Sequence, residues 1–269
     1  MSTIFFGIIS VLLYFWVSFR LGVRLFANRS DTIDKKLPIV MGMGAVTLHA
    51  LVVNATLVTA EGFNFSFFNA VSLLTCAIAM LIVLASIAKP VENLGIILFP
   101  LAAIAAVLSL AFPTDTAHLN DAKVGLDIHI LTSILAFGFL ALAAIQSTLL
   151  AVQNHHLRHR QPGGFIRALP PLQTMEKLLF QMIGLGFILQ TLSLFSGFIF
   201  LEDMFAQHMV HKTVLAITAW LVFSILLWGR WRFGWRGRTA IRWTIGGFVA
   251  LLLAYIGSKM VLELVLNQA

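Results

Sequence analysis

Three observations predict an all-α, polytopic membrane helix bundle. Apolar residues make up 59% of the 269-residue chain and charged residues only 11%, where a soluble domain carries about 25% charged residues. Mean hydropathy is +0.95. The apolar residues also come in runs of about 20, the length a helix needs to cross the hydrocarbon of a bilayer. Together these exclude a soluble globular protein and a disordered chain. A membrane β-barrel would alternate apolar and polar residues with period two, and these runs do not.

Eight such runs predict eight transmembrane helices, near residues 3–23, 38–60, 67–88, 93–112, 128–152, 177–201, 212–229 and 243–264. They read as a single integral membrane domain over 1–269. The connections are short except 153–176, which is rich in His, Arg, Pro and Gly. No internal repeat is visible. Pro100 breaks the fourth run and no later run carries a matching proline. That disfavours a transporter built from paired, interrupted helices.

The basic residues set the orientation. Arg20, Arg24, Arg29, Lys35 and Lys36 end or follow the first run, and Lys89 follows the third. Arg158, Arg160, Arg167 and Lys177 lie between the fifth and sixth runs. Arg230, Arg232, Arg236, Arg238 and Arg242 lie between the seventh and eighth. Thus 15 of the 18 basic residues share one side, against Lys123, Lys212 and Lys259 on the other. The positive-inside rule then puts both termini outside, in the periplasm or its equivalent. No basic stretch precedes the first run, so it is expected to stay as a helix rather than be removed as a signal peptide. The same loops account for the net charge of +7; the expected surroundings are lipid, not nucleic acid.

Cys76 is the lone cysteine, so the chain has no internal disulfide and no cysteine pair for covalent haem attachment. No Asp or Glu lies near the middle of a run, which argues against an ion-coupled carrier. No phosphate loop, H-E-x-x-H or serine elbow is present. The chain is therefore expected not to be an enzyme.

The histidines carry what chemistry remains. His49 sits near the middle of the second run, with Gly42 and Ala45 on its face. Small residues there let a helix or a flat ligand approach closely. His49 is either a structural group bonded to a neighbour's hydroxyl or carbonyl, or an axial ligand to haem iron in an apolar cleft. His129 opens the fifth run at the outer face, with Ser133 and Ala136 continuing its face. It is either an interfacial histidine or a second ligand. His208, His211 and His118 fall in outer loops, and His155, His156 and His159 in the basic loop. His49 lies 11 residues below Ala60, about 16 Å at the helical rise, whereas His129 is within about one turn of the outer edge. The two do not clamp one iron; they mark two depths. Asn54, Asn69, Gln146, Gln181, Gln190 and Thr191 are expected to hydrogen-bond between helices.

The stretches GFILQTLSLFSGFIF (186–200), HKTVLAITAWLVFSILLWGRWRFGWRGRTAIRW (211–243) and the glycine-rich last run resemble the integral-membrane cytochrome c assembly superfamily. That superfamily holds the CcsA, CcmC and HemX-like proteins, and the chain looks most similar to its YpjD-type inner membrane branch. The resemblance implies a multi-pass protein of the bacterial inner (cytoplasmic) membrane that binds or handles haem, with haem b as the cofactor. It matches His49 to the first membrane histidine and His129 to the first outer one. The tryptophan-rich outer motif of haem-handling members has no counterpart in LEDMFAQHMVH (201–211), and the second membrane histidine falls near Trp228. His211 or His208 could stand in as an outer ligand. The expected function is haem binding or handling, accessory to cytochrome c assembly or haem metabolism. The alternative is a haem-free scaffold or regulator of a membrane partner such as a metal-ion transport system. A small-molecule transporter comes last.

Overall fold

The computed structural model describes residues 2–26, 36–59, 62–113, 124–159, 166, 169–200 and 210–257. Eight α-helices run in order: α1 (Ser2–Phe26), α2 (Lys36–Leu57), α3 (Phe67–Ala88), α4 (Gly95–Ala111), α5 (Val124–Arg158), α6 (Leu172–Phe200), α7 (Val210–Phe233) and α8 (Arg238–Leu252). Among the described residues, seven helices are long and apolar enough to cross a membrane, α1 to α7. α8 has 15 residues and continues into a π-helical turn, Leu253–Gly257. The rest of the expected eighth run, to residue 264, lies outside the described residues, as does the region around Lys259.

The chain divides into two compact units, α1–α4 and α5–α8. In the first, α1 packs on α2 and α4, and α3 closes the ring by packing on the same two. Ile8, Leu12, Phe15 and Phe19 of α1 remain exposed, the pattern of a helix whose outer stripe faces lipid, while Tyr14 and Val17 are fully buried. In the second, α5 packs along α6, α6 on α7, α7 on α8 and α8 back on α5. A Cβ at Gly186 of α6 would lie 2.7 Å from Leu140 Cγ of α5, so glycine permits this close approach.

α6 and α8 each start five residues before the expected 177 and 243, α7 runs on to Phe233, and three further features differ from the sequence expectation. The second run stops as a helix at Leu57, and Val58–Thr59 pairs antiparallel with Gly62–Phe63 in a small hairpin. Asn69 of α3 holds the hairpin's flanks, donating from Nδ2 to the carbonyls of Thr56 and Asn64 at 3.1 and 3.2 Å. α5 is much longer than 128–152: its 35 residues span about 52 Å at 1.5 Å per residue, more than a bilayer core needs.

The third difference is at Pro100, which sits inside an unbroken α4. Proline has no N–H and so leaves the carbonyl four residues back without its helical partner. That carbonyl belongs to Ile96, and the Ser18 hydroxyl of α1 donates to it at 2.8 Å. A neighbouring serine thus restores the missing hydrogen bond, which is how membrane helices tolerate proline.

In the second unit, Arg230 near the end of α7 donates from Nη1 to Glu176 Oε1 at 2.8 Å and to the Trp235 carbonyl at 3.1 Å. Its guanidinium also lies 4.5 Å from the centroid of the Phe180 ring. A Cβ at Gly229 would overlap the indole of Trp235. The turn into α8 has positive φ at Gly234 (66°) and Gly237 (57°), values that favour glycine. The GWRGR stretch is therefore a folded corner pinned on α6.

Ser18→Ala is expected to lower stability by about 1–2 kcal/mol. In a Pro100→Ala background, where Ile96 regains a helical donor, the same change should cost much less. Thermal unfolding of the four proteins in detergent checks this; equal costs in both backgrounds would refute the pairing. Glu176→Gln is expected to cost about 1–2 kcal/mol, since it weakens a half-buried charged hydrogen bond, and to couple to Arg230→Gln in a double-mutant cycle.

Candidate functional site

His49 of α2 is fully buried. Its Nδ1 lies 3.2 Å from the Tyr14 hydroxyl of α1, and its Nε2 lies 3.0 Å from Ser72 Oγ of α3. Ser109 Oγ of α4 is 3.4 Å from Ser72 Oγ and donates to the Ala106 carbonyl at 3.0 Å. Phe99 of α4 stacks on Tyr14 with centroids 5.6 Å apart. One imidazole therefore gathers side chains from all four helices of its unit.

The tautomer follows from the donor count. A neutral imidazole donates from one nitrogen and accepts at the other. Among the described residues the Tyr14 hydroxyl has only Nδ1 as an acceptor. The phenol therefore donates to Nδ1, and Nε2–H donates to Ser72. Gly42 and Ala45 on the same face are buried; a Cβ at Gly42 would lie 3.2 Å from Val83 of α3. Neighbouring side chains cover this face.

His129 differs. It lies in the first turns of α5, part-buried, and its Nδ1 is 2.8 Å from the Ser193 carbonyl of α6 and 3.3 Å from Ser196 Oγ. A carbonyl only accepts, so Nδ1 carries the proton and Nε2 keeps its lone pair. Among the described residues no group is bonded to Nε2. Ser133, one turn on, donates to the His129 carbonyl at 2.6 Å and hydrogen-bonds Ser193 Oγ. Tyr255, in the π-helical turn after α8, hydrogen-bonds Ser133 and Ser193. A π-turn in a helix often marks a functional position. Here it brings a phenol from α8 to the serines beside His129.

The two centres lie in different units, His49 in the first and His129 in the second. His211 is exposed in the first turn of α7, in the same unit as His129. His208 and His118 lie outside the described residues. In the basic stretch, the His155 and His159 rings are 4.3 Å apart at the end of α5. Among the described residues no group of three or more His, Cys, Asp or Glu could hold a metal ion. Of the other embedded polar residues, Gln146 donates to the Met175 carbonyl and Gln190 to the Ala216 carbonyl, at 3.1 and 3.0 Å. Thr191 accepts from Trp220 Nε1 at 2.9 Å. These join neighbouring helices as expected.

Iron needs a bare imidazole nitrogen facing open space. His49 as packed offers none: Nε2 carries the proton, Nδ1 is engaged by the phenol, and the ring is covered. Haem does not fit there without displacing Ser72 or Tyr14. His129 fits. A ligating histidine usually donates its other N–H to a carbonyl or carboxylate, which fixes tautomer and ring orientation, and Ser193 supplies that acceptor. Tyr14, Ser72, Tyr255 and Ser193 were not singled out from sequence. A hydroxyl 35 positions from its histidine leaves no local signal, and Tyr255 depends on a π-turn.

Tyr14→Phe and Ser72→Ala each leave one ring nitrogen of His49 unpaired in an apolar interior. Each is expected to cost about 1–2 kcal/mol, and the double variant less than the sum, because the ring can then reorient. Thermal unfolding of the three variants checks this; strictly additive losses would refute a shared network.

The E. coli inner membrane protein YpjD is 30% identical over 238 residues, which are 86% of this chain and 88% of that protein. An uncharacterized 28.8 kDa protein of Azospirillum brasilense is 28% identical over 164 residues, 60% of each chain. The cytochrome c biogenesis protein CcsA of Gloeothece citriformis is 28% identical over 112 residues, 41% of this chain and 34% of that protein. No solved structure matches the chain. The family model for the cytochrome c assembly protein matches residues 37–266, a stretch that takes in both histidine centres and the folded GWRGR corner, and it is to this family that the chain belongs.

Proposed function

We propose that the chain is a haem-handling protein of the bacterial inner membrane, accessory to cytochrome c assembly and with no catalytic step of its own. The observation that carries this reading is the Nδ1–H of His129 held by the Ser193 carbonyl at 2.8 Å, which keeps the lone pair on Nε2, free of any described partner. Family membership and the CcsA relative support the same assignment, and the inner membrane relative supports the location.

In this reading α8 and its π-turn belong to an eighth span, and both termini are periplasmic. That places His129 on the periplasmic side and the basic end of α5 in the cytoplasm. A bound haem would take a histidine nitrogen as ligand and would supply the cofactor's redox chemistry. His129 Nε2 would be that nitrogen, Ser193 and Ser196 would hold the ring's orientation, and haem b is a form that needs no cysteine. His211, at the start of α7 in the same unit, is the second outer candidate. His49 serves first as the buried hub of its unit, and becomes a ligand only if Ser72 gives way.

The covered, doubly bonded state of His49 favours one alternative. A scaffold that keeps the fold without haem, and regulates a membrane partner such as a metal-ion transport system, would need His49 for packing alone.

A pyridine haemochrome assay and a visible spectrum on protein purified from haem-replete cells separate the two. The haem reading expects about one haem per chain and a Soret band that His129→Ala removes or shifts. His49→Ala should lower the unfolding temperature more than it changes the Soret band of the folded fraction. Colourless protein would overturn the haem reading and leave the scaffold.

A further inference from the structure

One cavity in the first unit is lined by neither His49 nor any of its hydrogen-bond partners. It has a volume of about 250 Å³ and lies among the ends of α1 and α3 and the starts of α2 and α4. Val17, Ile82 and Phe99 form its apolar wall, and Arg24, Lys89 and Glu92 its charged part. Arg24 is the informative residue. Its side chain is only 12% exposed, and its one ion pair among the described residues, to Glu92, spans 3.9 Å. That is too long for a hydrogen bond. A nearly buried guanidinium thus lines a cavity with its planar fork of donors unfilled by described residues. Buried charges are normally paired and hydrogen-bonded, and the guanidinium fork matches a carboxylate or phosphate.

The walls narrow the class further. A small hydrophilic anion would satisfy Arg24 and leave Val17, Ile82 and Phe99 against water. A neutral lipid tail would cover those residues and leave Arg24 unfilled. Only a molecule with an anionic head and an apolar body answers both. The volume falls somewhat below the roughly 300–1,000 Å³ of sites that enclose a whole ligand. The cavity therefore takes the head and the first part of the tail, and the rest of the molecule lies in the bilayer. Lys89 adds a second positive charge, so the site is net cationic even with Glu92 present.

We propose that this cavity is a binding site for the anionic head of a membrane amphiphile, a carboxylate or phosphate held by Arg24 with its chain against Val17, Ile82 and Phe99. It is independent of the haem assignment, since neither His49 nor His129 lines it.

The test uses the full chain in phosphatidylcholine nanodiscs. Oleate supplies a carboxylate head, phosphatidic acid a phosphate head, and oleyl alcohol a neutral match. Bound amphiphile is counted by mass spectrometry of the intact protein, and affinity is followed by the rise in unfolding temperature. The expected result is about one oleate or phosphatidic acid per chain, with affinity lowered about tenfold or more by Arg24→Gln, the loss of a charged hydrogen-bond partner. Oleyl alcohol should be unaffected by that change. Ser86→Leu, which fills the cavity and keeps Arg24, should also weaken anion binding and covers the case in which Arg24→Gln fails to fold. Retention of oleate alone assigns a carboxylate ligand, and of phosphatidic acid alone a phosphate. Oleyl alcohol binding as well as both anions, or undiminished anion binding in the folded variants, overturns the proposal. Colourless protein leaves it standing.

Discussion

An imidazole in an apolar interior has to place one donor and one acceptor, and the first unit is arranged around that requirement. His49 has no water to turn to, and leaving either nitrogen unpaired would cost more than most single contacts in the unit contribute. Tyr14, Ser72 and Ser109 answer from α1, α3 and α4. Because lipid is as apolar as leucine, membrane helices gain little from simply burying apolar surface against one another. Polar contacts that only one arrangement can complete therefore specify how α1 to α4 pack. The same logic explains Ser10, whose hydroxyl donates to the Ala45 carbonyl at 2.9 Å, one turn from His49 on the same side of α2.

The second unit solves the problem at its two ends. Near one end, Arg230 gathers Glu176, the Trp235 carbonyl and the Phe180 ring, so a charged group doubles as the corner between α7 and α8. Near the other, the serines of α5 and α6 surround His129 and take in Tyr255. The first unit closes its histidine inside hydroxyls. The second turns one nitrogen of its histidine toward a backbone carbonyl, and no described residue bonds the other. The proposed division of work between the two histidines rests on that contrast.

Much of this was legible in the sequence, for definite reasons. α3 has its expected bounds because a continuous apolar run is closed by Ser66 on one side and by Lys89 and Pro90 on the other. The expected second span runs on to residue 60 because Val58, Thr59 and Ala60 carry no turn signal, and only pairing with Gly62 and Phe63 makes Val58 and Thr59 a strand. α5 outruns 128–152 because its last turns, to Arg158, stay helical although they are polar and largely exposed. Pro100 reads locally as a break; what keeps α4 whole is a serine 82 positions earlier. Both candidate histidines were visible as residues that a bilayer does not tolerate casually. Their chemical states were not, because a tautomer is set by partners 23 to 64 positions away.

The Ser18–Ile96 contact bears on the order in which the protein is made. α4 carries a carbonyl that its own backbone cannot satisfy, and in hydrocarbon such a group costs several kcal/mol. A ribosome delivers α1 first, so the hydroxyl that α4 needs is already in the membrane when Pro100 emerges. Insertion of α4 is then stable only once it finds α1, which makes the proline a checkpoint on assembly: an isolated or misdocked α4 keeps an open carbonyl, and that exposed flaw is the kind of feature by which membrane quality control can tell an unfinished bundle from a finished one.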